Sequence, residues 1–181
     1  MGCDIHAFVE YADAPSKGAE PYWQNFVADF GSRNYLMFGI LAGVRGADER
    51  AFPPKGMPSG RLSWQTDDKY WLRVAPPDHP EWANLDGWVS QKIADRWVAD
   101  GSSKAEGPMP CKRVSHPDWH SHSWLTLDEL KRAAARYAEV VTERWPGEAP
   151  EAPAEWRAII AAMTAFEEAG CLTRIVFWFD N

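Results

Sequence analysis

The chain has 181 residues, of which 45% are hydrophobic and 25% charged, a balance typical of one folded globular domain with its own core. Its 26 acidic and 19 basic residues give a net charge of −7, which argues against duplex DNA binding through a broad basic surface. No run approaches the ~20 apolar residues of a membrane span. Three cysteines without paired spacing and the absence of a signal peptide favour a cytoplasmic protein without disulfides.

The first predicted element is a strand from Cys3 to about Tyr11, because side chains of one kind recur at every second position. One face is apolar throughout, as a core face should be. The other face begins with Asp4 and His6, a carboxylate and an imidazole side by side. A second strand is predicted within residues 21–30.

Residues 31–46 are predicted to form a short helix that ends at Gly46 and buries Leu36, Phe38, Ile40 and Leu41. Prolines then recur over residues 47–80, where they interrupt any long element. We therefore predict an irregular, Pro- and Trp-rich insertion there, with a short strand at 68–74. A further helix is predicted within 85–100.

The last third of the chain gives the clearest pattern. Thr126 and Glu129 have the spacing of a capping box, which begins a helix that runs to about Trp145. A second helix is predicted from about Pro153 to Gly170, and a central strand at 172–179. Together these elements predict a single α+β domain over 1–181, with a small mixed or antiparallel sheet. Its first and last strands pair, and the C-terminal helices cover it.

Three of the five histidines lie within residues 115–126. His120 and His122 are two positions apart, so both imidazoles project from the same face if the segment is extended. Many metal-binding histidine pairs share this spacing. The alternative is that the two histidines only pack against the start of the helix that follows.

An antiparallel pairing of the first and last strands would place Asp4 and His6 near Asp180 and Asn181. Adding the two histidines before the helix gives a ligand set suited to Zn²⁺, Mn²⁺ or Fe²⁺: Asp4, His6, His120, His122 and Asp180. Such an ion would lower the pKa of a bound water from ~15.7 toward ~7 and create a hydrolytic nucleophile. The alternative is that both chain ends are polar and frayed in solvent.

Arg33 and Asn34 precede the predicted helix of residues 31–46, where a guanidinium and backbone amides can hold an anion. They are therefore the candidate substrate-binding residues. The alternative is a plain helix cap formed by Ser32 or Asn34.

Four blocks together resemble an uncharacterised protein family encoded by bacteriophages and some bacteria: MGCDIHAFVEY, RNYLMFGILAGVR, HSHSWLTLDEL and RIVFWFDN. They are distributed over the whole chain. The resemblance implies a phage or prophage origin and a role in the cytoplasm of the infected cell. It brings no catalytic residues with it.

The sequence thus favours a metal-dependent hydrolase that acts on a small phosphorylated or nucleotide-like substrate. The competing hypothesis is a phage protein without enzymatic activity that binds and inhibits a host defence protein through its acidic surface and aromatic loops. Metal content separates the two, because only the first hypothesis requires a bound transition metal.

Overall fold

A computed structural model describes residues 2–46, 49–76 and 86–180. Within these residues the chain forms two four-stranded sheets and five helices. In chain order the elements are β1 (Asp4–Asp13), β2 (Gln24–Val27), α1 (Tyr35–Ala42), α2 (Trp64–Tyr70), β3 (Leu72–Ala75), β4 (Trp88–Ser90), α3 (Gln91–Ala99), β5 (Ala105–Glu106), β6 (Arg113–Val114), β7 (His120–Leu125), α4 (Leu127–Arg144), α5 (Ala154–Glu168) and β8 (Cys171–Asp180).

The first sheet has the strand order β2-β1-β8-β7, and every neighbouring pair in it is antiparallel. β1 and β8 pair along their whole length, from Asp4 opposite Asp180 to Asp13 opposite Cys171. This arrangement confirms the predicted α+β fold, in which the first and last strands pair and the C-terminal helices cover the sheet. It also brings the start of β1 and the end of β8 to the same edge.

The two faces of this sheet are covered differently. On one face, Ile5, Phe177 and Phe179 belong to a large core that is completed by α1, α4 and α5. On the other face, Phe8 and Trp178 pack with aromatic side chains from α2, nearby loops and β7, among them Tyr70, Trp71, Trp119 and Trp124. The second face is therefore the one that carries both the charged start of β1 and an aromatic surface.

The helix ends follow local signals. The predicted capping box is confirmed: the Thr126 hydroxyl accepts from the Glu129 amide at 3.3 Å, and the Glu129 carboxylate accepts from the Thr126 amide at 3.0 Å. The predicted end of α1 at Gly46 is wrong. The helix is capped at Gly43, whose φ of 74° lies in the left-handed region that glycine adopts without strain.

The segment 47–80 is more regular than predicted. Residues 64–70 form α2, because the Ser63 hydroxyl caps the helix and no proline interrupts it. The strand predicted at 68–74 therefore begins only at Leu72. Residues 47, 48 and 77–80 of this segment lie outside the described residues, as does Asn181.

The second sheet has the order β4-β3-β6-β5 and is mixed, since β3 and β4 are parallel and the other pairs antiparallel. It has a small core of its own, to which Val89, Ala94 and Val114 belong. Among the described helices, none has the length and apolar character that crossing a membrane requires.

Candidate functional site

Asp4, His6 and Asp180 lie at the end of the first sheet where β1 begins and β8 ends, and we call this end of the sheet the charged edge. The backbone amide of Asp4 donates to Asp180 Oδ1 at 3.1 Å, and His6 lies opposite Trp178 in the register. The His6 ring also stacks against Trp178, with 5.7 Å between the ring centroids. Three of the residues predicted to form the site, Asp4, His6 and Asp180, are thus brought together by strand pairing.

The His6 imidazole lies between two carboxylates. Its Nε2 is 3.1 Å from Asp180 Oδ2, and its Nδ1 is 3.2 Å from Asp29 Oδ1. Asp29 follows β2 with a positive φ of 43°, and its second oxygen lies 3.4 Å from Lys69 Nζ of α2. Because carboxylates only accept hydrogen bonds, a proton on each ring nitrogen satisfies both contacts.

The charges around His6 decide its protonation. Burial alone would lower the pKa of His6, but the hydrogen bonds to Asp29 and Asp180 outweigh it, so that the pKa is raised above 6.5. Burial alone would raise the pKa of Asp29, but the hydrogen bond from His6 outweighs burial, so that the pKa of Asp29 is lowered. The pairing therefore favours the charged form of both side chains, an imidazolium beside a carboxylate.

Arg33 pairs with Asp4 at the same edge. Its Nη2 donates to Asp4 Oδ2 at 2.8 Å, and its Nε donates to Oδ1 of the same carboxylate. The bond from Arg33 holds the pKa of Asp4 below its usual value. The guanidinium predicted to contact a substrate anion therefore contacts a protein carboxylate.

Asn34, the other predicted substrate-binding residue, is the cap of α1. Its side-chain oxygen accepts from the Met37 amide at 2.8 Å, and its amide nitrogen donates to Tyr137 Oη at 3.2 Å. The plain helix cap was one of the two interpretations of the sequence, and the structure places Asn34 in that role.

The expectation that His120 and His122 project from one face is wrong. His120 pairs with Phe179 and Ser123 pairs with Phe177, so two residues of β7 lie opposite one residue of β8. This bulge, with Ser121 at a φ of 51°, reverses the alternation of side chains. His120 therefore stacks with Phe179 on the helix-covered face, whereas His122 contacts Tyr70 on the other face.

Both histidines have a buried ring nitrogen. Nε2 of His120 and Nε2 of His122 have no hydrogen-bond partner among the described residues. Burial, helped by the nearby charges of Lys104 and His120, lowers the pKa of His122 to about 4. His122 is therefore neutral near pH 7.

The ligand set predicted from the sequence is not assembled. Within the described part of the chain, no three His, Cys, Asp or Glu side chains are placed so that they could hold one metal ion. The charged edge comes nearest to such a group, but both ring nitrogens of His6 face carboxylates and Asp4 faces Arg33. A metal there would have to replace a proton on His6.

A pocket of about 490 Å³ opens beside this edge, within the usual size range of small-molecule sites. Asp29 and Lys69 line it together with Trp64, Trp71 and Trp119, and the His6 ring lies behind Asp29 and against Trp119, 6.0 Å from its centroid. Asp29 and Lys69 were not predicted as site residues. Their contact depends on how α2 packs beside the turn after β2, and no sequence spacing indicates it.

No protein-family model, curated protein or solved structure matches the chain.

Proposed function

We propose that the chain is a hydrolase of a small phosphorylated or nucleotide-like substrate, and that the substrate binds in the pocket lined by Trp64, Trp71 and Trp119. The observation that supports this proposal is the hydrogen-bonded pair of Asp29 and His6 at the pocket wall. A base or sugar can stack on the indole rings, since aromatic faces accept either.

Each polar residue has a distinct role in this proposal. Asp29 faces the pocket, where its ionised carboxylate orients the attacking water and takes a proton from it as the water oxygen bonds to phosphorus and the bond from phosphorus to the leaving-group oxygen breaks. His6 and Lys69 hold this carboxylate in place and keep it charged. Asp180 fixes the other nitrogen of His6 and thereby the plane of the ring. Asp29 is the catalytic residue, and the others are positioning residues.

In the metal-dependent form of the proposal, Asp4, His6 and Asp180 would have to rearrange to hold Zn²⁺, Mn²⁺ or Fe²⁺, because no three such side chains of the described residues are placed to hold one ion as they stand. A bound ion would supply an activated water. The ion would have to compete with the proton that His6 Nε2 and Asp180 Oδ2 share across 3.1 Å. Arg33 would have to release Asp4. Elemental analysis of the purified protein tests this form, because the metal-dependent form requires one transition metal ion per chain. A chelator should remove both the ion and the activity.

The activity itself is tested with nucleoside mono-, di- and triphosphates and with p-nitrophenyl phosphate, by chromatography and phosphate release. Asp29→Asn should reduce turnover about 10²–10⁴-fold, as expected for loss of an acid–base group. Asp68→Asn is the matched control: this exposed carboxylate lines the same pocket but pairs with Arg73. Equal losses in both variants, or full activity of Asp29→Asn, would contradict the role of Asp29.

A second proposal is that the chain binds and inhibits a host protein. The observation in its favour is that Tyr22 and Trp64 are both largely exposed, since aromatic side chains of this kind anchor protein interfaces. Affinity capture from host lysate with the wild type and with the Trp64→Ala variant tests it. A partner retained only by the wild type, together with no turnover of any phosphate probe, would favour the inhibitor.

For either proposal we place the chain in the cytoplasm of a phage-infected cell. All three cysteines, Cys3, Cys111 and Cys171, are free, which suits a reducing compartment.

A further inference from the structure

A second pocket, of about 590 Å³, lies on the opposite flank of α2 from the pocket of the proposed hydrolase. The segment before β2, the loop before α2, α2 itself and the β5–β6 hairpin form its walls. Trp64 and Trp71 line both pockets, whereas Tyr22, Trp23 and Glu106 line only this one.

Aromatic side chains form much of its rim and wall. Tyr22 and Trp64 are 72% and 73% exposed, which is unusual for residues of this size. Trp23 is fixed by the Arg174 guanidinium, whose central carbon lies 3.9 Å from its ring centroid. Flat apolar surfaces are therefore presented to any ligand in the pocket.

The polar part of the pocket is an ion-pair array that the protein itself has already ordered. Arg113 donates to Glu106 through Nε and through Nη2, the latter at 2.6 Å, and its Nη1 donates to Asp67. The hydrogen bonds from Arg113 lower the pKa of Glu106. Each carboxylate oxygen has more than one lone pair, so both carboxylates can still accept hydrogen bonds from a ligand.

The charges favour a neutral ligand. The charged side chains that line this pocket in the described residues are Asp67, Glu106, Arg61 and Arg113, and their formal charges cancel. A wall with no net charge attracts neither an anion nor a cation. A ligand with hydroxyl donors and apolar C–H faces fits both the carboxylates and the indole rings.

We propose that this pocket binds a neutral carbohydrate, whose ring faces stack on Trp64 and Tyr22 and whose hydroxyls donate to Asp67 and Glu106. This inference does not depend on the proposed hydrolase activity, because neither Asp29 nor His6 lines the pocket.

The test is titration calorimetry of the full chain with maltose, cellobiose, lactose and diacetylchitobiose, with AMP as an anionic aromatic probe. At least one disaccharide should bind. Tyr22→Ala and Trp64→Ala should each weaken it about tenfold or more, as loss of a stacking ring does. Trp145→Ala, which removes another partly exposed tryptophan at the end of α4, should leave the affinity unchanged.

Glu106→Gln tests the hydroxyl contacts and should weaken sugar binding without affecting the other pocket, which Glu106 does not line. Asp29→Asn should leave sugar binding intact even where it removes hydrolysis, which separates the two proposals. Thermal unfolding of each variant verifies that it is folded. Binding of no disaccharide, binding that survives both Tyr22→Ala and Glu106→Gln, or binding of AMP alone would overturn the proposal.

Discussion

The ion pair between His6 and Asp29 should stabilise the fold in a way that depends on pH. The perturbation is a double-mutant cycle of His6→Gln and Asp29→Asn, which isolates the interaction between the two side chains. Their nitrogen and oxygen are 3.2 Å apart, and the side chains are 17% and 33% exposed. A hydrogen bond to a charged group contributes about 1.5–3 kcal/mol to stability, whereas a solvent-exposed ion pair contributes about 0.2–1 kcal/mol. We therefore expect a coupling free energy of about 1 kcal/mol.

The pH window follows from the direction of the two shifts. The pKa of His6 is raised above its ordinary value of 6.5, so its contribution is complete below pH 6.5 and is lost as pH rises through the folded-state pKa. The pKa of Asp29 is lowered below 3.8, so its contribution is complete above pH 3.8 and is lost as pH falls through the folded-state pKa. The coupling should be greatest between these two ordinary values.

Urea unfolding at about pH 5.5 and about pH 9 measures the coupling inside and above this window. The exposed pair of Arg136 and Glu139, 3.0 Å apart on α4, is the control, because it contains no imidazole. Its coupling should be the same at both pH values, whereas that of His6 and Asp29 should fall at the higher one. A coupling that is equal at both pH values, or below about 0.2 kcal/mol at pH 5.5, would refute the paired imidazolium.

Three further predictions concern stability measured by urea or thermal unfolding. Thr126→Ala should lower the free energy of unfolding by about 0.5–2 kcal/mol, and Thr142→Ala, within the same helix, should cost less because Thr142 caps nothing. The pKa of His122 is about 4, so the folded protein must take up a proton on a buried ring only at low pH. Lowering the pH from 6.5 toward 4 should therefore reduce the free energy of unfolding of the wild type by about 1–2 kcal/mol more than it reduces that of the His122→Gln variant. Glu10→Ala should cost about 3–5 kcal/mol, since it leaves buried Arg174 without its carboxylate; a loss below about 1 kcal/mol would contradict this.

The sequence predicted the parts of the fold that rest on local or alternating patterns. The pairing of β1 with β8 follows from two apolar strands with polar ends, and Thr126 with Glu129 marks the start of α4. Such signals need only a few neighbouring residues. Together with the assumed antiparallel pairing of the first and last strands, these signals predict that Asp4, His6 and Asp180 lie at one edge of the sheet.

The remaining part of the site depended on features that leave no pattern in the sequence. The bulge at Ser121 is a single extra residue, yet it moves His120 and His122 to opposite faces. Asp29 contacts His6 from the turn after β2, where it has a positive φ that the sequence does not indicate. Helix α2 was obscured by the prolines on both sides of it.

The same alternation that builds the sheet also explains why both pockets lie on one side of it. Positions Asp4, His6, Phe8 and Glu10 share a face because side chains of a strand alternate. Long helices cover the opposite face and pack apolar side chains against it. The face with His6 is covered by α2 and by loops, whose tryptophans pack over Phe8 and Trp178 but leave pockets on both flanks of the helix. A ligand that binds on either flank must therefore contact α2, and substitution of Trp64, which lines both pockets, should affect both proposed sites.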